Sequence, residues 1–203
     1  HQLAGFEKVL FDMAMGAEYL EPLFAACTDF QIAVGTRLIE CGVDAIWVGD
    51  DFGSQTNLLF SPQMFNDLLK PHYTRMIDAF KAVNPDIIPI LHCDGAVSKL
   101  LDDIHDAGFE VFNPVQPGVP GHSPRELKDA FGDTFVFWGA IDQQDLLPNG
   151  TDAELETDIR EKMAILGENR GYMIAPAHII QADVTPERVE MFIDLCMRHG
   201  RYE

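Results

Sequence analysis

The chain reads as an α/β protein built on parallel strands, with a (β/α) barrel preferred over a doubly wound sheet. Three observations lead there. Five short, nearly continuous apolar runs occupy residues 44–51, 87–94, 111–116, 135–142 and 172–178, as expected of strands covered on both faces. Segments of helical periodicity separate them, and one αβ unit repeats: residues 40–50 (ECGVDAIWVGD) resemble 106–116 (DAGFEVFNPVQ). In each, a helix end and a glycine precede an apolar–acidic pair and a strand. Finally, no GxGxxG or GxxxxGK[ST] loop follows any run, which argues against a nucleotide-binding doubly wound sheet.

The elements follow in order. Phe6, Leu10, Met13 and Ala17 recur at helical spacing, and Leu20, Leu23 and Phe24 continue the stripe. Residues 28–41 are expected to form a further helix closed by Gly42. After the first strand, Ser61-Pro62 supplies a cap and a first-turn proline for a helix towards Val83. Gly95 leads into a helix that stops at Gly108. Ser123-Pro124 starts a short helix ending near Gly132, and Thr151 caps one that turns Leu155, Ile159, Met163 and Leu166 inward. Thr185-Pro186-Glu187 opens the last, to about His199. Trp47 and Trp138 lie inside strands and are expected in the core. About five strands behind a helical lead-in fall short of the eight that close a barrel.

At 203 residues and 47 % hydrophobic content, the chain can bury one core and is expected to form one domain over 1–203. A formal net charge of -19 would repel nucleic-acid phosphates and anionic lipid, so neither is an expected partner. No stretch is long and apolar enough to cross a membrane. The four scattered cysteines make no CxxC pair and read as free thiols, which places the expected compartment in the cytoplasm. A first residue of His rather than Met suggests a processed product or a fragment.

Every run ends on side chains that can do chemistry, and in parallel α/β folds ligands gather at the carboxyl ends of strands. His92 and Asp94 are two apart at such an end, so both project to one side while Cys93 turns into the packing beneath the helices. With His178 from the last run they make a candidate zinc set, His92, Asp94 and His178, leaving a fourth position open. The same residues also read as a helix cap at Asp94 with two hydrogen-bonding imidazoles contacting substrate. Asp50 and Asp51 are neighbouring carboxylates, candidates for general acid or base together with His92 and His178; equally, one faces the mouth while the other caps or braces the loop. Gln55, Asn113, Gln116 and Asp142 continue the polar ring as candidate substrate contacts; Asp142 could equally cap a turn.

These motifs resemble the superfamily joining uroporphyrinogen decarboxylase with cobalamin-dependent methyltransferases. The residues that carry the resemblance are 42–53 (GVDAIWVGDDFG), 58–62, His92-Cys-Asp-Gly95, Asn113-Pro-Val-Gln-Pro117 and 175–181 (APAHIIQ). The resemblance runs from about Gly5 to the end and implies a TIM-like barrel, of which this chain holds the later strands and lacks the amino-terminal third. It implies a small-molecule substrate and an enzyme of one of two kinds. The methyltransferase branch binds zinc through a His-x-Cys pair and a later cysteine; Asp94 and His178 stand at those places here. That branch implies a corrinoid carried by a partner protein, and demethylation of a small substrate or methyl transfer to a carrier. The decarboxylase branch, which acts in porphyrin biosynthesis, implies no cofactor, but its Asn-Leu-Gly-His-Gly segment after the last strand is absent. Methyl transfer is the favoured expectation. Decarboxylation and a non-catalytic barrel relative that only binds a small molecule are the alternatives. Self-association, or another chain supplying the first strands, is the expected way to complete the barrel.

Overall fold

The computed structural model describes residues 3–202. Two helices, α1 (Phe6–Met15) and α2 (Leu20–Glu40), lead into β1 (Ala45–Gly49). The second helix starts at Leu20 rather than at residue 28, because Pro22 sits in its first turn, where a missing N–H breaks no helical bond. Strands β2 (Ile88–His92), β3 (Val111–Val115), β4 (Val136–Ile141) and β5 (Tyr172–Pro176) follow. All pair in parallel in the order β1-β2-β3-β4-β5. Among the described residues strand order equals chain order and never reverses, so the sheet has no topological switch point there and the barrel-type expectation holds. Both edges, β1 and β5, are free of strand partners among the described residues.

The connecting helices begin where the caps were read. Ser61, Ser123 and Thr185 each accept a backbone N–H at the start of α3 (Pro62–Met64), α6 (Pro124–Phe131) and α9 (Pro186–His199). Thr151 and Glu154 form a full capping box on α8 (Asp152–Leu166). The helix begun by α3 runs through a π-helical turn, Phe65–Leu69, into α4 (Lys70–Val83). The helix after Gly95 is a 3-10 turn, Ser98–Leu100, followed by α5 (Leu101–Asp106). A further short helix, α7 (Leu146–Asn149), follows β4, and Arg188 of α9 donates to its Leu146 and Leu147 carbonyls and to Gly150.

Register divides the side chains between two faces. Val48, Leu91, Phe112, Phe137 and Tyr172 lie in one row across the sheet and pack in the main core beneath the helices. The opposite row includes Trp47, Ile90, Val111 and Val136. Trp47 is therefore not a core residue: it is 55 % exposed, since five strands leave the inner face of the sheet open. A second core joins Ile141 and Leu147 to Leu155, Ile159 and Phe192 of α8 and α9.

His122, in the segment after β3, is buried edge-on against Phe112 and accepts the Val97 N–H at Nε2, 3.3 Å away. Its Nδ1 has no hydrogen-bond partner among the described residues. Burial pushes its pKa down from 6.5 to about 4. The unfolded chain binds this proton near pH 6.5 and the folded chain only near 4, so stability is full above 6.5 and drains as pH falls between the two. The stability difference between wild type and His122→Gln, measured by urea unfolding, should shrink by about 3 kcal/mol from pH 7 to pH 4. A difference that does not change with pH would contradict the buried, neutral imidazole.

Candidate active site

Strand parity sorts the polar residues at the carboxyl ends. Asp50 follows Ile46 and Val48 to the helix side, where the Tyr73 hydroxyl of α4 donates to its Oδ2 at 2.6 Å. Burial raises the Asp50 carboxyl above its usual range, and the Tyr73 hydrogen bond partly offsets that. Asp50 thus sits behind the sheet and does not line the cleft described below. Asp51 turns the other way, and its Oδ1 accepts the Asp94 N–H at 3.0 Å. Its role here is to hold the backbone of the next strand end.

His92 leaves β2 on the open face, in register with Gly49 and Asn113. Its Nδ1 lies 2.7 Å from Asn113 Oδ1, and its ring packs 4.9 Å from Trp47. Facing an amide oxygen, Nδ1 carries a proton, which leaves Nε2 as the ring nitrogen that faces Asp94. The Asp94 carboxylate raises the His92 pKa, against the cost of burial. Cys93 is fully buried, accepts the Phe52 N–H at 3.3 Å, and has its thiol pKa driven up by burial. It points away from the histidine, as alternation requires.

Asp94 Oδ2 lies 3.4 Å from His92 Nε2 and 3.5 Å from His178 Nε2. Both separations are long for N–H···O bonds, which cluster near 2.9–3.0 Å. They match the edge of a tetrahedron, about 3.3 Å, around an ion with ligands at roughly 2.0–2.1 Å. One donor atom from each of the three residues lies within 4.8 Å of the others. The strands thus bring together all three expected ligands, although His178 is 86 residues from His92 in the chain.

A cleft of about 470 Å3 opens beside them. Gln55, Gln116, Gln143, Gln144 and Gln181 line it, with Asp94, Asp142 and Asp183 as its carboxylates. No lysine or arginine lines it among the described residues. Asp142 both faces the cleft and caps a turn, its Oδ1 accepting the N–H groups of Gln144 and Asp145. Asn113 is buried and committed to His92, so it orients a site residue rather than standing in the cleft. Gln143, Gln144, Gln181 and Asp183 were not singled out as site residues in the sequence. Their signal is position alone: they follow Asp142 and His178 in the same loops. Tyr73 had none, because its meeting with Asp50 depends on how α4 packs.

The chain is similar to known proteins over most of its length. The profile of a protein family described as Uroporphyrinogen decarboxylase (URO-D) matches residues 2–199. A methylated-thiol–coenzyme M methyltransferase of Methanosarcina mazei is 26 % identical over 159 residues, which are 78 % of this chain and 40 % of that protein. A uroporphyrinogen decarboxylase of Thermus thermophilus is 24 % identical over 157 residues, 77 % of this chain and 42 % of that protein. The solved structure of a methyltransferase from Methanosarcina mazei superposes with a TM-score of 0.67 at 22 % identity. It covers 86 % of this chain and 48 % of that structure, and it shows a shared fold. The matches thus take in less than half the length of each of these proteins.

If Asn113 sets the His92 tautomer, Asn113→Leu releases it. Ring-nitrogen NMR of neutral His92 should show the proton on Nδ1 in the wild type and a shift of population towards Nε2 in the variant. An unchanged tautomer in Asn113→Leu would contradict the assignment.

Proposed function

The chain belongs to the uroporphyrinogen decarboxylase family, and within it we propose that this chain carries the substrate and metal site of a corrinoid-linked methyltransferase. The reaction in this reading is demethylation of a small substrate or methyl transfer to a carrier. The observation that supports it is the His92, Asp94 and His178 donor set, in which the Asp94 carboxylate lies 3.4 and 3.5 Å from the two imidazole nitrogens, beside a cleft that offers carboxylates and amides but no cation among the described residues.

Charge separates the two activities represented among the relatives. A polycarboxylate substrate needs guanidinium or ammonium partners. Here it would meet Asp94, Asp142 and Asp183 instead. Like charges about 4 Å apart cost on the order of 4 kcal/mol each at an effective dielectric of 20. A neutral or cationic substrate meets no such penalty.

The donor set fits zinc: two imidazole nitrogens, one carboxylate oxygen and an open side towards the cleft. When bound, zinc supplies Lewis acidity that eases deprotonation of a substrate or acceptor group. The chain's own residues do the rest. Asn113 keeps the proton on His92 Nδ1, so that Nε2 stays a donor. Asp51 holds the backbone N–H of Asp94 and with it the direction of the carboxylate. Asp142, fixed by two backbone N–H groups, is a carboxylate at the cleft wall able to take a proton from a bound group. Asp50, on the far side of the sheet, serves as a buried partner for Tyr73. The corrinoid in this reading rides on a partner protein docked at the cleft mouth.

Decarboxylation is the second reading, favoured by the absence of sulfur from the donor set. Two imidazoles around one carboxylate can also handle protons on a pyrrole without a metal. Metal content of the purified chain tests the choice. About one zinc per chain, lost in His92→Ala and in His178→Ala but kept in Cys93→Ser, is the expected result. Metal-free protein in wild type and variants, all folded by circular dichroism, would overturn the zinc-dependent reading.

A further inference from the structure

Gln55 and Gln116 both reach the cleft, but hydrogen bonding gives them different parts. The Gly95 N–H donates to Gln116 Oε1 at 2.8 Å. A backbone N–H can only donate, so the oxygen end of Gln116 must face it. That leaves the Gln116 amide nitrogen facing Gln55, and it donates to Gln55 Oε1 at 2.9 Å. The oxygen of Gln55 is thereby occupied, and its own amide nitrogen is the end left for the cleft. The chain of bonds starts from a group that cannot reverse, so its direction is set along its whole length.

The starting group is held firmly. Gly95 adopts φ +87°, and a Cβ there would lie 2.5 Å from the Gly53 carbonyl carbon. Gln55 is exposed and Gln116 half-buried, in keeping with an outer group that meets a ligand and an inner one that positions it.

We propose that Gln55 is a specificity-determining donor, aimed by Gln116, which selects substrates bearing an uncharged acceptor oxygen such as an ether or carbonyl. The inference rests on reading the cleft as the substrate site. Within the methyl-transfer reading, it favours a methyl ether over a substrate that offers only donors. A charged oxygen acceptor is disfavoured by Asp94, Asp142 and Asp183 in the same cleft.

The test is an NMR titration of the metal-free chain with 1,2-dimethoxyethane, a neutral molecule that only accepts hydrogen bonds. The side-chain amide resonance of Gln55 should move on binding while that of Gln116 stays in place. Gln55→Glu removes the donor and should weaken the ether about tenfold, the loss of one hydrogen bond. Gln116→Glu still accepts from Gly95 but cannot donate to Gln55. The Gln55 amide then turns over, and ether binding should fall by a similar factor although Gln55 is intact. A Gln55 resonance that does not move, or undiminished ether binding in either variant, would overturn the proposal. No metal is present in this titration, so its failure leaves the zinc question open, and a chain without zinc leaves the titration valid.

Discussion

The candidate site hangs on one backbone-to-backbone contact, the approach of Gly53 in the loop after β1 to Gly95 in the turn after β2. A Cβ on Gly53 would lie 2.8 Å from the Ala96 nitrogen, and one on Gly95 would lie 2.5 Å from the Gly53 carbonyl carbon. Only hydrogen fits at either place. The contact is sealed by the Ala96 N–H, which donates to the Ser54 carbonyl at 2.8 Å. With the two loops locked, Asp51 reaches the Asp94 N–H and Gln55 reaches Gln116. The donor set and the amide pair therefore share one anchor. Widening that contact by a methyl group would move both.

Strand alternation then decides which polar groups can act. Asp50 and Cys93 fall on the helix side, where burial raises the pKa of each and a neighbour supplies a hydrogen bond. His92 and Asp94 fall on the open side, where Asn113 and Asp51 hold them without covering them. The parallel, in-order sheet gathers His178 from its far edge to the same end. A groove with three carboxylates and five amides but no cation among the described residues follows from those loops, and it suits a neutral or cationic ligand.

Much of this was legible in the sequence because it depends on short-range pattern. The five apolar runs became five parallel strands, and Ser61, Ser123, Thr151 and Thr185 cap the helices they precede. His92, Asp94 and His178 could be matched because strand ends of one parallel sheet share one edge. The rest depends on packing between distant segments. Strand alternation sets Asp50 and Asp51 on opposite sides, but the partner that Asp50 finds there, Tyr73, 23 residues on, depends on how α4 packs. Asn113 and Gln116 read as ligand contacts because nothing local reveals that His92 and Gly95 take up their polar ends. Trp47 reads as core because apolar strand residues usually are; its exposure reflects an inner face that five strands leave uncovered.

We propose that two imidazoles and a carboxylate, with no thiolate, form the metal site of this chain. X-ray absorption at the zinc edge of zinc-loaded protein tests it most directly. The expected result is a shell of nitrogen and oxygen alone at about 2.0–2.2 Å, with the outer-shell scattering of two imidazoles. A sulfur neighbour at about 2.3 Å would contradict it, because Cys93, the cysteine beside these ligands in sequence, is turned into the core.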